Sequence, residues 1–263
     1  MVIMKNVTVL VMGCDEYVDV SYISAYYKKK YWEDCPYEYC LVTQTEIPEN
    51  GAIFDRIYTC PAEYNWMQRL DSILNEIDTD YILLMCDDFF PYKKIREIDF
   101  EKYIKKMEEC NIGLIKIFPF GNGNMLEKVG DGFWKYNDNS PFRISYCVGL
   151  WKKNYLMKFT PCHMNAWRAE YENSIQSLQY PEAIFATDEI SPNSFIHGVM
   201  SGMWQWDAYY KMKKDGVPKA VLGVRKKKKI KFYIKDIVYN IAMRICPNTL
   251  LDIQHKFNVG RGL

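Results

Sequence analysis

The chain has 263 residues and a mass of 31.2 kDa, long enough to bury one substantial core, and about half of it is apolar, which excludes wholesale disorder. A net charge of +1 gives no bulk field to draw the whole molecule onto a polyanion. Nine scattered cysteines without CxxC spacing exclude a small disulfide scaffold and read as reduced thiols, so a cytoplasmic setting is expected.

In chain order, "VTVLVMG" (7–13) is a continuous β-prone run, as expected of a strand buried on both faces. Only this short run precedes Asp15 and Glu16, so the start reads as a first strand and not as a signal peptide. "GCDEY" forms a loop at its carboxyl end. Residues 19–31 look helical, and "YEYCLVTQ" (37–44) and "IFDRIYTC" (53–60) read as the next strands. "NWMQRLDSILNEID" (65–78) is a helix with Trp66, Leu70, Ile73, Leu74 and Ile77 on one face and Asn65 as its N-cap. "YILLMCDD" (81–88) is a strand and "FEKYIKKMEECN" (100–111) a helix. "IGLIKIFPF" (112–120) and "FRISYCVGLW" (142–151) add strands on either side of a Gly/Asn-rich loop over 121–140, and 151–180 is helical and irregular by turns. No internal repeat stands out, and no apolar run reaches the length of a membrane-spanning helix.

This alternation predicts an α/β fold, a mainly parallel sheet flanked by helices with functional loops at the strands' carboxyl ends. Asp15 and the pair Asp87–Asp88 belong on that edge. Beyond it the composition changes. From 211 to 235 basic residues dominate, with "RKKKK" at 225–229, and Ile230, Ile234, Ile237, Ile241 and Ile245 recur at helical spacing. The expected organisation is therefore a domain over 1–222 and a basic amphipathic tail over 223–263. Such a tail suits an anionic membrane surface, the alternative being a stripe packed on the domain beneath solvated lysines. No nucleic-acid partner is expected, because the rest of the chain is not basic and carries no binding motif.

Two carboxylates at a strand end either cap the next element or hold a divalent cation whose shell is completed by nucleotide phosphates and water. Taken with "NWMQRLDSIL" upstream, "DYILLMCDDFFPY" resembles the nucleotide-sugar-binding half of GT-A glycosyltransferases, most of all a bacterial group from polysaccharide and capsule biosynthesis. The resemblance rests on order and spacing over roughly residues 5–210: a loop like "GCDEY", the helix bearing Arg69, the acidic strand, "FRISYCVGLWKKNYL", then "AWRAEYENS".

The resemblance implies that Asp87 and Asp88 form a DxD-type metal and diphosphate site with Mn²⁺ or Mg²⁺, Asp88 being the direct ligand. Cys86 stands where an acid often does, which shortens the motif, and Cys147 stands where the group often has glutamine. Asp15 would approach the nucleoside. Arg69 would face the base or the phosphates, or else be a surface helix charge. Glu170 would be the base for an inverting transfer, with Glu172 and Asp188 in reserve. His197, in "SFIHGVMSGMW", would add a metal or phosphate ligand, with Gly198 and Gly202 allowing close backbone approach; His163 and His255 have less context. Trp151 and Trp167 would shape the sugar pocket. The implied enzyme moves a sugar from a nucleotide-sugar donor to a hydroxyl of a glycan or lipid-linked acceptor in bacterial surface polysaccharide synthesis, on the inner face of the cell membrane. The rivals are a nucleotidyltransferase, whose Gly-rich basic loop "GCDEYVDV" does not supply, and a non-catalytic carbohydrate- or nucleotide-binding protein, which Cys86 and Cys147 keep open.

Overall fold

A computed structural model describes residues 6–95, 100–117, 126–140, 142–161, 164–187 and 194–231, with 234 and 238. Val7–Met12 (β1) is buried at every position; Val7, Val9 and Val11 enter one core layer, Leu10 and Met12 the opposite one. Alternation along a strand sends successive side chains to opposite faces, so a doubly covered strand must be apolar throughout. Helix Val18–Tyr31 (α1) and strands Glu38–Thr43 (β2) and Arg56–Thr59 (β3) follow. Trp66–Leu74 (α2) starts at a reciprocal capping box between Asn65 and Gln68, and it stops short of the expected residue 78. Then come Tyr81–Cys86 (β4), Phe89–Pro91 (β5), Phe100–Glu109 (α3) and Ile112–Lys116 (β6). Leu126–Gly130 (β7), Phe133–Tyr136 (β8), Gly149–Lys152 (β9), Lys153–Leu156 (α4) and Ala166–Gln176 (α5) continue the chain. Ala183–Thr187 (β10), Phe195–His197 (β11), Val199–Met200 (β12), Met203–Trp204 (β13), Trp206–Asp215 (α6) and Lys219–Gly223 (α7) complete it.

The main sheet has the order β3-β2-β1-β4-β9-β6-β10-β8-β7. β3, β2, β1 and β4 are parallel; β9 opposes both β4 and β6; β6 and β10 are parallel; β8 and then β7 pair antiparallel beyond them. All its strands but β9 and β8 therefore share one direction, the expected mainly parallel α/β sheet. The chain builds outward from β1 through β2 and β3, then returns to place β4 on β1's other side. The carboxyl ends of β1 and β4 thus flank a reversal of strand order, the place where open α/β sheets leave a crevice.

Two expectations are corrected. The span 121–140 is not all loop, because 126–136 fold as the hairpin β7–β8, whose turn puts Asp131 and Gly132 at φ 52° and 77°. Gly130, Asp131 and Gly132 supply the positive-φ positions that such a turn requires. Of 142–151, only the end from Gly149 joins the sheet as β9, and 142–148 runs as an irregular strap.

A satellite core holds the chain's later part in place. Val20, Ile23 and Tyr27 of α1 pack with Phe90, Val199, Trp204, Ala208, Met212 and Leu222. Beside it the Tyr27 and Tyr31 hydroxyls donate to the Asp215 carboxylate, which also pairs with Lys211. The expected boundary near 222–225 falls in a stretch still tied to the body. Arg225 forks onto buried Asp19 at 2.8 and 2.7 Å, and Lys226 and Lys228 exchange backbone hydrogen bonds with Trp204.

Candidate active site

Asp87 and Asp88 follow β4 directly. Their environments differ, although they are adjacent. Asp87 is buried, and its Oδ2 accepts the Ser21 hydroxyl at 2.9 Å. Burial and neighbouring Asp88 push its carboxyl well above the usual range, against the pull of Ser21 and Arg225. The space is tight: a Cβ on Gly13, at the end of β1, would lie 2.6 Å from Ser21 Oγ and 3.2 Å from Asp87 Oδ2. Asp88 is only partly covered, and its Oδ2 lies 3.1 Å from His197 Nε2. The small antiparallel pair β5–β11 makes this contact across 109 residues: His197 sits opposite Phe89, and the two rings stack 4.4 Å apart. "FFPY" after the aspartates is thus the strand that recruits the histidine.

Glu170 reaches the same edge from the other side. One face of α5 presents Glu170, Asn173, Ser174 and Ser177 at the i, i+3, i+4, i+7 spacing of a helix surface. All four bond the strap. Glu170 Oε1 accepts the Tyr146 amide at 2.7 Å, Asn173 donates to the Tyr146 hydroxyl at 2.6 Å, Ser174 Oγ accepts the Ile144 amide, and Ser177 Oγ accepts from Arg143. Glu170 and Ser174 stand in for ladder partners at the Tyr146 and Ile144 amides, which is how 142–148 is held without being a strand. Burial raises the Glu170 carboxyl above its ordinary value of 4.5, offset in part by the Tyr146 and Ser145 hydrogen bonds and by Lys116. Lys116 ends β6 almost wholly buried, donating to Phe142 O at 2.9 Å with its ammonium 4.5 Å from the Tyr136 ring centroid. Between the two acidic groups lie Cys86, whose thiol donates to Tyr146 O at 3.4 Å, and Cys147. Burial pushes both thiols well up, followed by Asp88 for Cys86 and by Glu170 for Cys147.

The remaining predicted residues divide. Asp15 lies on the expected edge, but its carboxylate is spent on the loop after β2, accepting from the Thr45 amide and hydroxyl and the Glu46 amide at 2.7–2.8 Å. Those bonds hold its carboxyl low despite the opposing effect of burial. Arg69 is a buried helix residue and not a surface charge; it donates to Tyr64 O at 2.8 Å, while its Nε has no hydrogen-bond partner among the described residues. Trp151 is 0% exposed in β9, packed against Tyr146 and Tyr155, so it is a core residue with no face to offer a sugar. Trp167 is 70% exposed on α5, one turn before Glu170. Glu172 pairs with Arg168 on the surface at 3.7 Å. Gly198 donates its amide to Asp88 O and packs against Phe90, and Gly202 forms the φ-positive turn of β12–β13. Asp188, His163, His255, Cys162 and Cys246 lie outside the described residues, as do Ile237, Ile241 and Ile245 of the tail stripe.

Ser21, Lys116 and Arg225 were not foreseen as parts of this edge. Arg225 lies 4.0 Å from the Tyr17 ring centroid and acts on Asp87 as well as Asp19. The one sequence signal was a lysine closing the apolar strand "IGLIK". Among the described residues no three His, Cys, Asp or Glu side chains are grouped to hold a metal ion. Asp88 and His197 supply one oxygen and one nitrogen at contact distance, which suits a cation whose other ligands are phosphate oxygens and water.

No family model and no curated protein matches this chain in sequence. Among solved structures it is similar to S. aureus TarS, with a TM-score of 0.44 and 13% identity over 79% of this chain and 38% of that one. For TarS 1–349 in complex with UDP the TM-score is 0.49, with 11% identity over 79% and 63% of the two chains. A CMP:2-keto-3-deoxy-manno-octonic acid synthetase complexed with CTP gives 0.42 and 8% identity over 69% and 89%. The chain thus spans well under half of the first of these TarS structures.

Proposed function

We propose that this chain is a GT-A-type glycosyltransferase that moves a sugar from a nucleotide-sugar donor to an acceptor hydroxyl with inversion. The observation that carries this reading is the meeting of Asp88 with His197 at the strand-order reversal, with Glu170 facing the same edge from α5. Asp88 and His197 would hold Mn²⁺ or Mg²⁺ together with the donor diphosphate; the cation, when bound, offsets charge developing on the leaving diphosphate. Asp87, clamped by Ser21 beneath Gly13, positions Asp88 and is not itself a ligand in this reading. Arg69, whose Nε has no hydrogen-bond partner among the described residues, is the donor-side cation.

Glu170 takes the proton from the acceptor hydroxyl as that oxygen bonds to the anomeric carbon. The bond from that carbon to the diphosphate breaks, and its electron pair leaves with the diphosphate. Trp167 flanks the acceptor side. The acceptor class, a glycan or lipid-linked hydroxyl of bacterial surface polysaccharide, follows from the sequence resemblance alone. A lipid-linked acceptor fits a peripheral position on an anionic membrane surface. Supporting that position, Ile230, Ile234 and Val238 are 52%, 53% and 60% exposed at helical spacing beside exposed Lys226, Lys229 and Lys231. No helix among the described residues is long and apolar enough to cross a membrane.

The test is calorimetry and donor hydrolysis with a panel of nucleotide sugars in Mn²⁺. We expect one donor to bind and turn over, and Asp88→Ala to lower kcat/KM by roughly a hundredfold or more. A wild-type chain that neither binds nor hydrolyses any donor removes the reading. Turnover of a nucleoside triphosphate with a sugar phosphate would replace it with nucleotidyl transfer.

A further inference from the structure

We propose that Cys86 and Cys147 together form the floor of the sugar subsite and select a donor whose sugar lacks a hydroxyl on the edge facing them. The inference rests on the glycosyltransferase reading and adds the class of donor. In the β4–β9 ladder Leu84 lies opposite Gly149. Past the end of that ladder the Cys86 thiol donates to Tyr146 O, which brings it beside Cys147. On the β6 side the Ile117 amide donates to Val148 O, so the chain stays beside the sheet one residue beyond β9. Both cysteines pack, partly buried, against the same core layer.

Their place along the edge follows from an unbroken run of contacts. Asp88 and Asp87 lead directly back to Cys86, the Cys86 thiol donates to Tyr146 O, and the Tyr146 amide donates to Glu170 Oε1. A direct displacement needs the diphosphate on one side of the anomeric carbon and the acceptor with its base on the other. With the diphosphate at Asp88 and the base at Glu170, the sugar ring spans the interval that the two cysteines occupy. Both are partly exposed there.

A thiol is a small polarizable group that donates and accepts hydrogen bonds weakly. A sugar hydroxyl laid on two thiols gives up its bonds to water and gains little in return. A methyl group or a deoxy carbon gives up nothing and gains contact. Neither cysteine is used by the transfer chemistry, so the pair is free to act on donor choice.

The experiment compares kcat/KM for donor hydrolysis, in Mn²⁺, across matched pairs: UDP-glucose with each of its monodeoxy counterparts, and UDP-N-acetylglucosamine with its 6-deoxy counterpart. The full-length chain is used, with Cys86→Ser, Cys86→Asp and Cys147→Ser as variants. We expect the wild type to favour the deoxy member of at least one pair by about tenfold, and the variants to shift that ratio toward the hydroxylated member by about tenfold. The two Cys→Ser changes are nearly isosteric, so they carry the test if Cys86→Asp does not fold. Turnover in which the wild type favours the hydroxylated member of every pair, or in which neither Cys→Ser variant moves the ratio, overturns the inference and leaves the glycosyltransferase reading standing. A wild type that turns over no donor removes both.

Discussion

Glu170 bonds the Tyr146 amide through one oxygen and would take a proton on its carboxylate, so its substitutions separate two roles. Glu170→Gln keeps an acceptor for that amide but cannot act as a base. We expect kcat to fall by roughly 10²–10⁴ with an unchanged melting temperature. Glu170→Ala, by contrast, is expected to lose activity and also about 1 kcal/mol of stability, read by denaturant titration. An equal loss of stability in both variants would make Glu170 a clamp only. As the proposed base Glu170 must be ionised, so its raised carboxyl should place the acid limb of kcat/KM above the ordinary carboxylate value. Lys116 is the positive charge that opposes this rise. Lys116→Met should therefore move the limb to higher pH, and Lys116→Arg should leave it nearer the wild-type position; a pH–rate profile unaltered by Lys116→Met would exclude the coupling.

At the scale of elements, α1 is the member on which the later chain docks, and Asp215 at the end of α6 makes the polar part of that joint. Its carboxylate is held low by Lys211, Tyr27 and Tyr31 in spite of burial. A depressed folded pKa gives stability that is present above the unfolded value and lost as pH falls through the folded one. Asp215→Ala should thus cost about 2 kcal/mol in urea titrations at pH 7, and the gap should narrow on acidification below the ordinary aspartate range. The β1–α1 turn depends on Gly13 in a different way. A methyl there would strike Ser21 Oγ and press on Asp87, so Gly13→Ala should cost about 1–3 kcal/mol and weaken donor binding with it. The strands and helices around these joints were legible because apolar periodicity and the Asn65 cap are local signals. The strap was not, since its partners are α5 side chains more than twenty residues away and its own pattern, "FRISYCV", looks like a strand.

For the molecule as a whole, the basic segment belongs in part to the body. Arg225 closes a buried ion pair with Asp19, and removing it should cost about 3 kcal/mol by stranding that carboxylate. A truncation before Arg225 would therefore disturb the body, so the membrane surface is better tested on the full chain with Ile230→Glu, Ile234→Glu and Val238→Glu combined. We expect the wild type to float with vesicles containing anionic lipid and the triple variant to stay behind, with donor hydrolysis unchanged; equal flotation would leave the stripe without a membrane role. Composition and periodicity by themselves determined the α/β class, the apolar strands and the acidic edge, because burial on two faces leaves its mark in every residue of a strand. They could not show that Trp151 is core, that Asp15 and Asp87 are already engaged, or that Arg225, Lys226 and Lys228 of the "RKKKK" run serve the body. Nor could they bring His197 to Asp88, Glu170 to the strap, or Cys86 to the Tyr146 carbonyl. Those meetings join residues far apart in the chain, and only the pairing of strands and the docking of α5 bring them within bonding distance.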